Sequence, residues 1–179
     1  MKLKFFLVGR IIMLIRNMNG CLASALLFFA ISSSAQPLMQ PNISLAQAMQ
    51  IVDAVIAECS QPGVWVTVSV AVVDRAGQQV MQVRADTASP HNWELAFRKA
   101  YTARTYRRTS LEWAKRTAGD SERSGQRMLT HVIPLGGGAP IMMGDQPMGG
   151  VGVSGAPGGQ PADSACAEVG VAAIADELN

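Results

Sequence analysis

Residues 133–174 read IPLGGGAPIMMGDQPMGGVGVSGAPGGQPADSACAEVGVAAI, and this stretch decides the fold. Three short apolar runs, Ile133 to Leu135, Pro140 to Met143 and Gly150 to Val153, are cut by glycine and proline. Gly136 to Gly138 and Gly144-Asp145-Gln146-Pro147 have turn chemistry, because glycine reaches positive φ without steric cost and proline fixes its own φ. An alanine-rich helical pattern closes the stretch. The order predicted is strand, turn, strand, glycine corner and a final helix beginning near Asp163, with Asp163 as its N-cap. Gly150, Gly152 and Gly155 also satisfy G-x-G-x-x-G, the spacing of dinucleotide-binding turns. The context refuses that reading. The glycines lie within a strand, no helix opens among them, and Asp176 falls in the last helix instead of at the end of a second strand.

Working outward, Ser44 and Gln47 form a capping box, and Leu45, Met49, Val52 and Ile56 follow at helical spacing, predicting a helix to about Cys59. Gln61-Pro62-Gly63 ends it. Val64 to Val73 predicts a central strand covered on both sides, with Val64, Val66, Val68, Val70 and Val72 on one face and Trp65, Thr67, Ser69, Ala71 and Val73 on the other. Asp74-Arg75-Ala76-Gly77 turns the chain back into Gln78 to Arg84. Ser89, as N-cap, and Pro90, at the first helical position, open a second helix. On it His91, Leu95, Lys99, Thr102 and Tyr106 recur at steps of three or four and share one face. Trp93, Phe97 (or Ala96), Ala100 and Ala103 form its expected core stripe. A short amphipathic helix, Leu111 to Ala118, leads into the polar segment Gly119 to Gln126, expected to be a loop.

The first 35 residues carry Lys2, Lys4, Arg10 and Arg16 and no acid, then the apolar run Cys21 to Ile31 and Ser32-Ser33-Ser34-Ala35. This pattern predicts a signal peptide cut after Ala35, leaving one domain over 36–179 in a periplasmic or secreted protein with no stable membrane insertion. Subtracting the four leader cations from 15 leaves eleven basic residues against 13 acidic ones, so the formal charge changes from +2 to −2. Nucleic-acid attraction has no support once the leader is set aside. Nine of the eleven cations lie between Arg98 and Arg127, whereas Met128 to Asn179 has none and carries five acids. Opposite-sign halves favour a homo-oligomer or an anionic small ligand.

Of three cysteines, Cys21 leaves with the leader; Cys59 and Cys166 remain, and an oxidising compartment allows a disulfide without implying one. Cys166, among alanines, reads more simply as a small buried apolar residue. No HxxH, CxxC or HExxH occurs, so a closed zinc site is not expected. His131, beside an expected strand start, reads as structural. His91 is the expected metal ligand, because the positive end of a helix favours the neutral, coordinating imidazole.

Three separated segments together resemble one family. GGGAPIMMGDQPMGGVGVSGAPGG with DSACAEVGVAAI is similar to the C-terminal signature of the GlcG/HbpS family, which includes the C-terminal domain of PduO-type proteins. FRKAYTARTY (Phe97 to Tyr106) resembles its KA-x-TA helix, and SVAVVDRAGQQV (Ser69 to Val80) its first hairpin. The resemblance implies a profilin-like α+β fold, a three-layer α/β/α arrangement around a five-stranded antiparallel sheet. It also implies binding of haem, an iron tetrapyrrole, in a family with haem-degrading, corrinoid-associated and oligomeric members. Haem needs an apolar slot, an axial ligand and cations for its propionates. The residues implied are Trp93, Phe97 and methionines as walls, His91 or Tyr106 as axial ligand, Lys99, Arg104 or Arg108 as propionate partners, and Thr102 as a pocket residue. An enzyme of a small metabolite or corrinoid, including oxidative haem degradation, and an oligomeric scaffold or sensor partner are the alternatives.

Overall fold

The computed structural model describes residues 36–59 and 67–178. The leader expected over 1–35 and the first part of the strand expected from Val64 lie outside the described residues. The unit from Gln40 onward is compact. Its elements are α1 (Leu45–Cys59), β1 (Ser69–Asp74), β2 (Gln79–Arg84), α2 (Pro90–Tyr106), α3 (Ser110–Arg116), β3 (Gly138–Met143), β4 (Gln146–Ser154) and α4 (Gln160–Ala172), with short 3-10 turns at Ser124–Met128 and Ala175–Glu177.

The strands form one antiparallel sheet in the order β2-β1-β4-β3. Val70 and Val72 of β1 pair with Val153 and Val151 of β4, while Ala71 and Val73 pair with Gly152 and Gly150. Side chains alternate along a strand, so the Gly-Val-Gly-Val run of β4 sends valine to one face and glycine to the other. The valine face packs with Ile141 against Ile51, Val52 and Val55 of α1 and Cys166 and Ala167 of α4. The glycine face receives α2 through Ala96 and Ala100. This is the expected three-layer arrangement.

On the glycine face, backbone meets backbone. A β-carbon at Gly152 would overlap the Ala96 carbonyl oxygen, one at Gly138 the Lys99 carbonyl oxygen, and one at Gly150 would lie 2.6 Å from the Ala100 carbonyl oxygen. Small residues on both sides let α2 lie directly on β4 and β3. The glycine-rich stretch is thus a seat for a helix.

Several expectations need correction. The described sheet has four strands, one fewer than the resemblance implies. Ile133 to Leu135 is not a strand: the Ile133 amide donates to Thr102 Oγ1 at 2.9 Å and the Gly136 amide to Gln160 Oε1 at 2.7 Å. Side chains thus satisfy backbone donors there. Asp163 is not the N-cap of α4, which starts at Gln160 after Gly159. Ser89 precedes α2, with Pro90 at its start, but makes no side-chain capping bond. Ser44 and Gln47 do form their capping box, with the Gln47 amide donating to Ser44 Oγ at 3.2 Å and the Ser44 amide to Gln47 Oε1 at 3.0 Å. A second box, Thr109 with Glu112, opens α3. Cys59 and Cys166 are joined in a disulfide that ties the end of α1 to α4. Helix packing brings their α-carbons to 6.4 Å, within bonding range.

Candidate functional site

The helix face expected to hold the chemistry is divided by the fold. Lys99, at 2% exposure, lies beneath α2 with its Nζ bonded to Asp163 Oδ2 at 2.7 Å, the Val153 carbonyl at 3.0 Å and Ser154 Oγ at 3.2 Å. An ammonium has three donors, and these three acceptors use them. Asp163 Oδ1 accepts the Ala156 amide at 2.8 Å. Burial drives the Lys99 pKa down, opposed by the hydrogen bond and charge of Asp163. Gly137 leaves the passage for this pair: its φ is +118°, and a β-carbon there would come within 2.8 Å of Asp163 Cβ and 3.0 Å of Lys99 Nζ. Lys99 thus joins helices of opposite layers and is not presented to a ligand.

Thr102 is likewise interior, its hydroxyl donating to the Arg98 carbonyl at 2.7 Å while accepting the Ile133 amide. Tyr106 stacks on Trp113 of α3, ring centroids 4.8 Å apart at 22°, and burial raises its pKa. Arg108 Nε donates to the Tyr106 carbonyl at 3.3 Å. His91 is exposed in the first turn of α2. Fifteen residues separate it from Tyr106, a rise of about 22 Å, so the two expected axial ligands belong to different ends of the helix. The structure does not bring these five residues into one site. Trp93, expected in the core, is 44% exposed.

Another set of residues does meet. Trp93, Phe97, Tyr101 and Arg104 follow at steps of four, four and three, and line the outer flank of α2 on its β2 side. Gln82 of β2 donates its Nε2 to the Trp93 carbonyl, and the Tyr101 ring lies over Gly77 of the β1–β2 turn. The ring of His131 meets Phe97 at 5.6 Å and Tyr101 at 5.3 Å, edge to face in both cases, and Phe97 and Tyr101 are 6.1 Å apart. Such centroid distances are those of interacting rings. The segment carrying His131 is fixed over α2 by Arg98 Nη2, which donates to the Val132 carbonyl at 2.7 Å, and by the Thr102–Ile133 bond. His131 is exposed, and its ring nitrogens have no hydrogen-bond partner among the described residues. The i, i+4 pair Phe97 and Tyr101 was a usable signal; the position of His131 depends on contacts between distant segments.

The described residues contain no group of three or more His, Cys, Asp or Glu side chains suited to a metal, and no helix long and apolar enough to cross a membrane. A cavity of about 250 Å³ lies against the disulfide, lined by Glu58, Cys59, Ala156, Pro157, Ala162, Ala165 and Cys166. It belongs to the α1 and α4 layer, away from the aromatic flank, and is smaller than ordinary ligand pockets of about 300–1,000 Å³.

Residues 43–172 match the family described as haem degrading protein HbpS-like. An uncharacterized 15.0 kDa protein of the dhaT-dhaS intergenic region of Citrobacter freundii is 30% identical over 116 residues, 64% of this chain and 80% of its own length. The crystal structure of a double mutant of HbpS from Streptomyces reticuli aligns with a TM-score of 0.71 at 30% identity, covering 81% of this chain and 97% of that one. The crystal structure of a PduOC:heme complex aligns with a TM-score of 0.67 at 27% identity, covering 74% and 95%.

Proposed function

This chain belongs to the HbpS-like family, and from that premise we propose that it binds haem on the outer flank of α2. The observation that carries the reading is the meeting of His131 with Phe97 and Tyr101, an imidazole without a hydrogen-bond partner among the described residues beside two aromatic rings. Haem takes an apolar surface and an axial donor. Phe97 and Tyr101 supply the first, with Trp93 one turn before Phe97, and His131 the second. Haem bound there would supply redox and ligand-binding chemistry, with His131 as the residue to hold its iron and Phe97 and Tyr101 to shield it from water. The solved relative with haem supports this choice of ligand. His91, two residues before Trp93, points from another side of α2 and is the less suited donor.

The setting we propose is outside the cytoplasm, periplasmic or secreted. The leader pattern and the disulfide both support it, since disulfides persist in oxidising compartments. The basic middle segment and the acidic C-terminal segment support self-association there.

Adding haemin to the protein tests the reading. A Soret band that is lost or shifted in His131→Ala and retained in His91→Ala is the expected result. The reverse pattern assigns the iron to His91, and a flat titration removes haem binding altogether. Loss of the haem spectrum under reductant and oxygen would add degradation to binding; a stable spectrum limits the role to binding.

A further inference from the structure

The seam between α1 and α4 ends in a small cavity that has the disulfide in its wall. Ile51, Val55 and Cys59 follow at steps of four on α1, and Cys166 and Gly170 stand four apart on α4, so each set shares one face of its helix. At one end of the seam the helices touch closely: a β-carbon at Gly170 would lie 2.7 Å from Val55 Cγ2 and 3.0 Å from Ile51 Cγ2. At the other end lies the cavity of about 250 Å³, with Cys59 and Cys166 in its wall and the exposed residues Glu58, Pro157 and Ala165 around them. Both cysteines are otherwise enclosed, at 6% and 7% exposure. Disulfide exchange depends on access to a sulfur atom, and the cavity supplies that access.

Its charge is of one sign. Glu58 is the charged residue of the described lining, and it makes no ion pair among the described residues. Glu58 also stands in the last turn of α1, which has no basic residue, so the carbonyl end of the helix adds negative potential. Residues 60–66, which follow Cys59, carry no charge in sequence. The field at the disulfide therefore favours a cation, and the volume suits a molecule of few non-hydrogen atoms.

We propose that the cavity is a thiol–disulfide exchange site for a small aminothiol, whose ammonium pairs with Glu58 while its thiolate attacks Cys59 Sγ. A bond forms between the incoming sulfur and Cys59 as the Cys59–Cys166 bond breaks, and Cys166 leaves as a thiolate that takes a proton from water. The aminothiol is the reductant. A second molecule attacks the sulfur of the first, releases Cys59 as a thiolate and departs with it as the symmetrical disulfide. Cys166 is the better leaving group, because negative charge on Cys59 would face Glu58 and the carbonyl end of α1, whereas Asp163, one turn before Cys166, is matched by Lys99. The contact of Gly170 with Ile51 and Val55 keeps α1 on α4 when the sulfurs part. None of these residues belongs to α2 or to the segment at His131, so the site stands whether or not haem binds.

Reduction of the oxidised protein by cysteamine, 2-mercaptoethanol and 3-mercaptopropionate tests the site, with wild type compared to Glu58→Gln and Ala165→Leu. Each thiol is its own reference across the variants, which cancels its intrinsic reactivity. At low salt Glu58→Gln slows cysteamine about threefold, leaves 2-mercaptoethanol unchanged and speeds 3-mercaptopropionate, and high salt removes these differences. Ala165→Leu, an exposed change that narrows the cavity, slows all three thiols and leaves Tm unchanged. Wild type quenched with iodoacetamide during the reaction carries cysteamine on Cys59 and the alkyl group on Cys166 by mass spectrometry, and in Cys166→Ala the disulfide cystamine leaves its aminothiol on Cys59. The site is overturned if Glu58→Gln affects the three thiols alike, if the adduct forms on Cys166, or if reduction proceeds only at the rate of global unfolding and ignores both variants.

Discussion

Gly152 of β4 lies directly beneath Ala96 of α2, so close that a β-carbon at position 152 would overlap the Ala96 carbonyl oxygen. The obstacle is backbone, which cannot rotate away as a side chain can. Gly152→Ala therefore lifts α2 from the sheet and destabilises the protein by about 3 kcal/mol, the upper part of the range for overpacking. Gly125, with open space around it, is the control: Gly125→Ala changes stability by less than about 0.5 kcal/mol. Urea unfolding of the two variants measures both.

The buried pair Lys99 and Asp163 gives a sharper contrast. Asp163→Leu leaves an ammonium in the interior without its anion and costs about 3–5 kcal/mol. The double variant Lys99→Met with Asp163→Leu removes both charges and recovers most of that loss. Equal instability in the single and double variants would show that the pair's charges are not the source of the cost.

Lys99 also fixes the sign of one pH effect. Burial holds its folded pKa below 10.5, against the raising effect of Asp163. Between the folded and unfolded pKa values the unfolded chain binds more protons, so this residue makes stability rise with pH up to 10.5 and fall again as pH drops through the folded pKa. Lys99→Met flattens that rise in denaturant titrations at alkaline pH.

Tyr106 acts in the opposite sense. Its pKa is raised above 10.0, by burial first and by the charge of Tyr101, against the lowering effect of a hydrogen bond with Trp113. Its contribution to stability is full below 10.0 and is lost as pH rises through the folded value. The chain has two tyrosines, so Tyr101→Phe leaves Tyr106 as the sole phenol. Ultraviolet titration of that variant should show ionisation above 10.0, because burial, the largest cause, remains.

The disulfide spans 107 residues of sequence. Closing a loop of that size restricts the unfolded chain, and reduction should lower stability by about 4 kcal/mol. Cys59 and Cys166 should alkylate only after reduction. Denatured, unreduced protein in which both react would rule out the bond.

Much of the fold could be read from local pattern. Gly150 to Val153 alternates with the period of a strand, Ser44 and Gln47 mark a helix start, and Asp74 to Gly77 marks a turn. The site was less legible because its chemistry is set by distant partners. Lys99 reads as a propionate partner on an open helix face until Asp163, 64 positions away, is brought beneath α2. Steps of three and four place His91, Lys99, Thr102 and Tyr106 on one side of a helix but do not say that β3, β4 and the segment at Ile133 cover the middle of that side. His131 is aimed by Arg98 and Thr102, through backbone bonds to its two successors. The resemblance supplied the layers, whereas the division of α2 into an interior side and an aromatic flank required the packing.

At Gly138, Gly150 and Gly152 the backbone of α2 rests on the strands themselves, with no side chain there to rearrange when the flank is occupied. Helix and sheet must therefore move as one body, and a ligand arriving at Phe97 and Tyr101 meets a platform already in its final shape. Little ordering entropy is lost there, and amide exchange should slow in the segment around His131 while the rates in β1 and β4 stay as they are in the free protein.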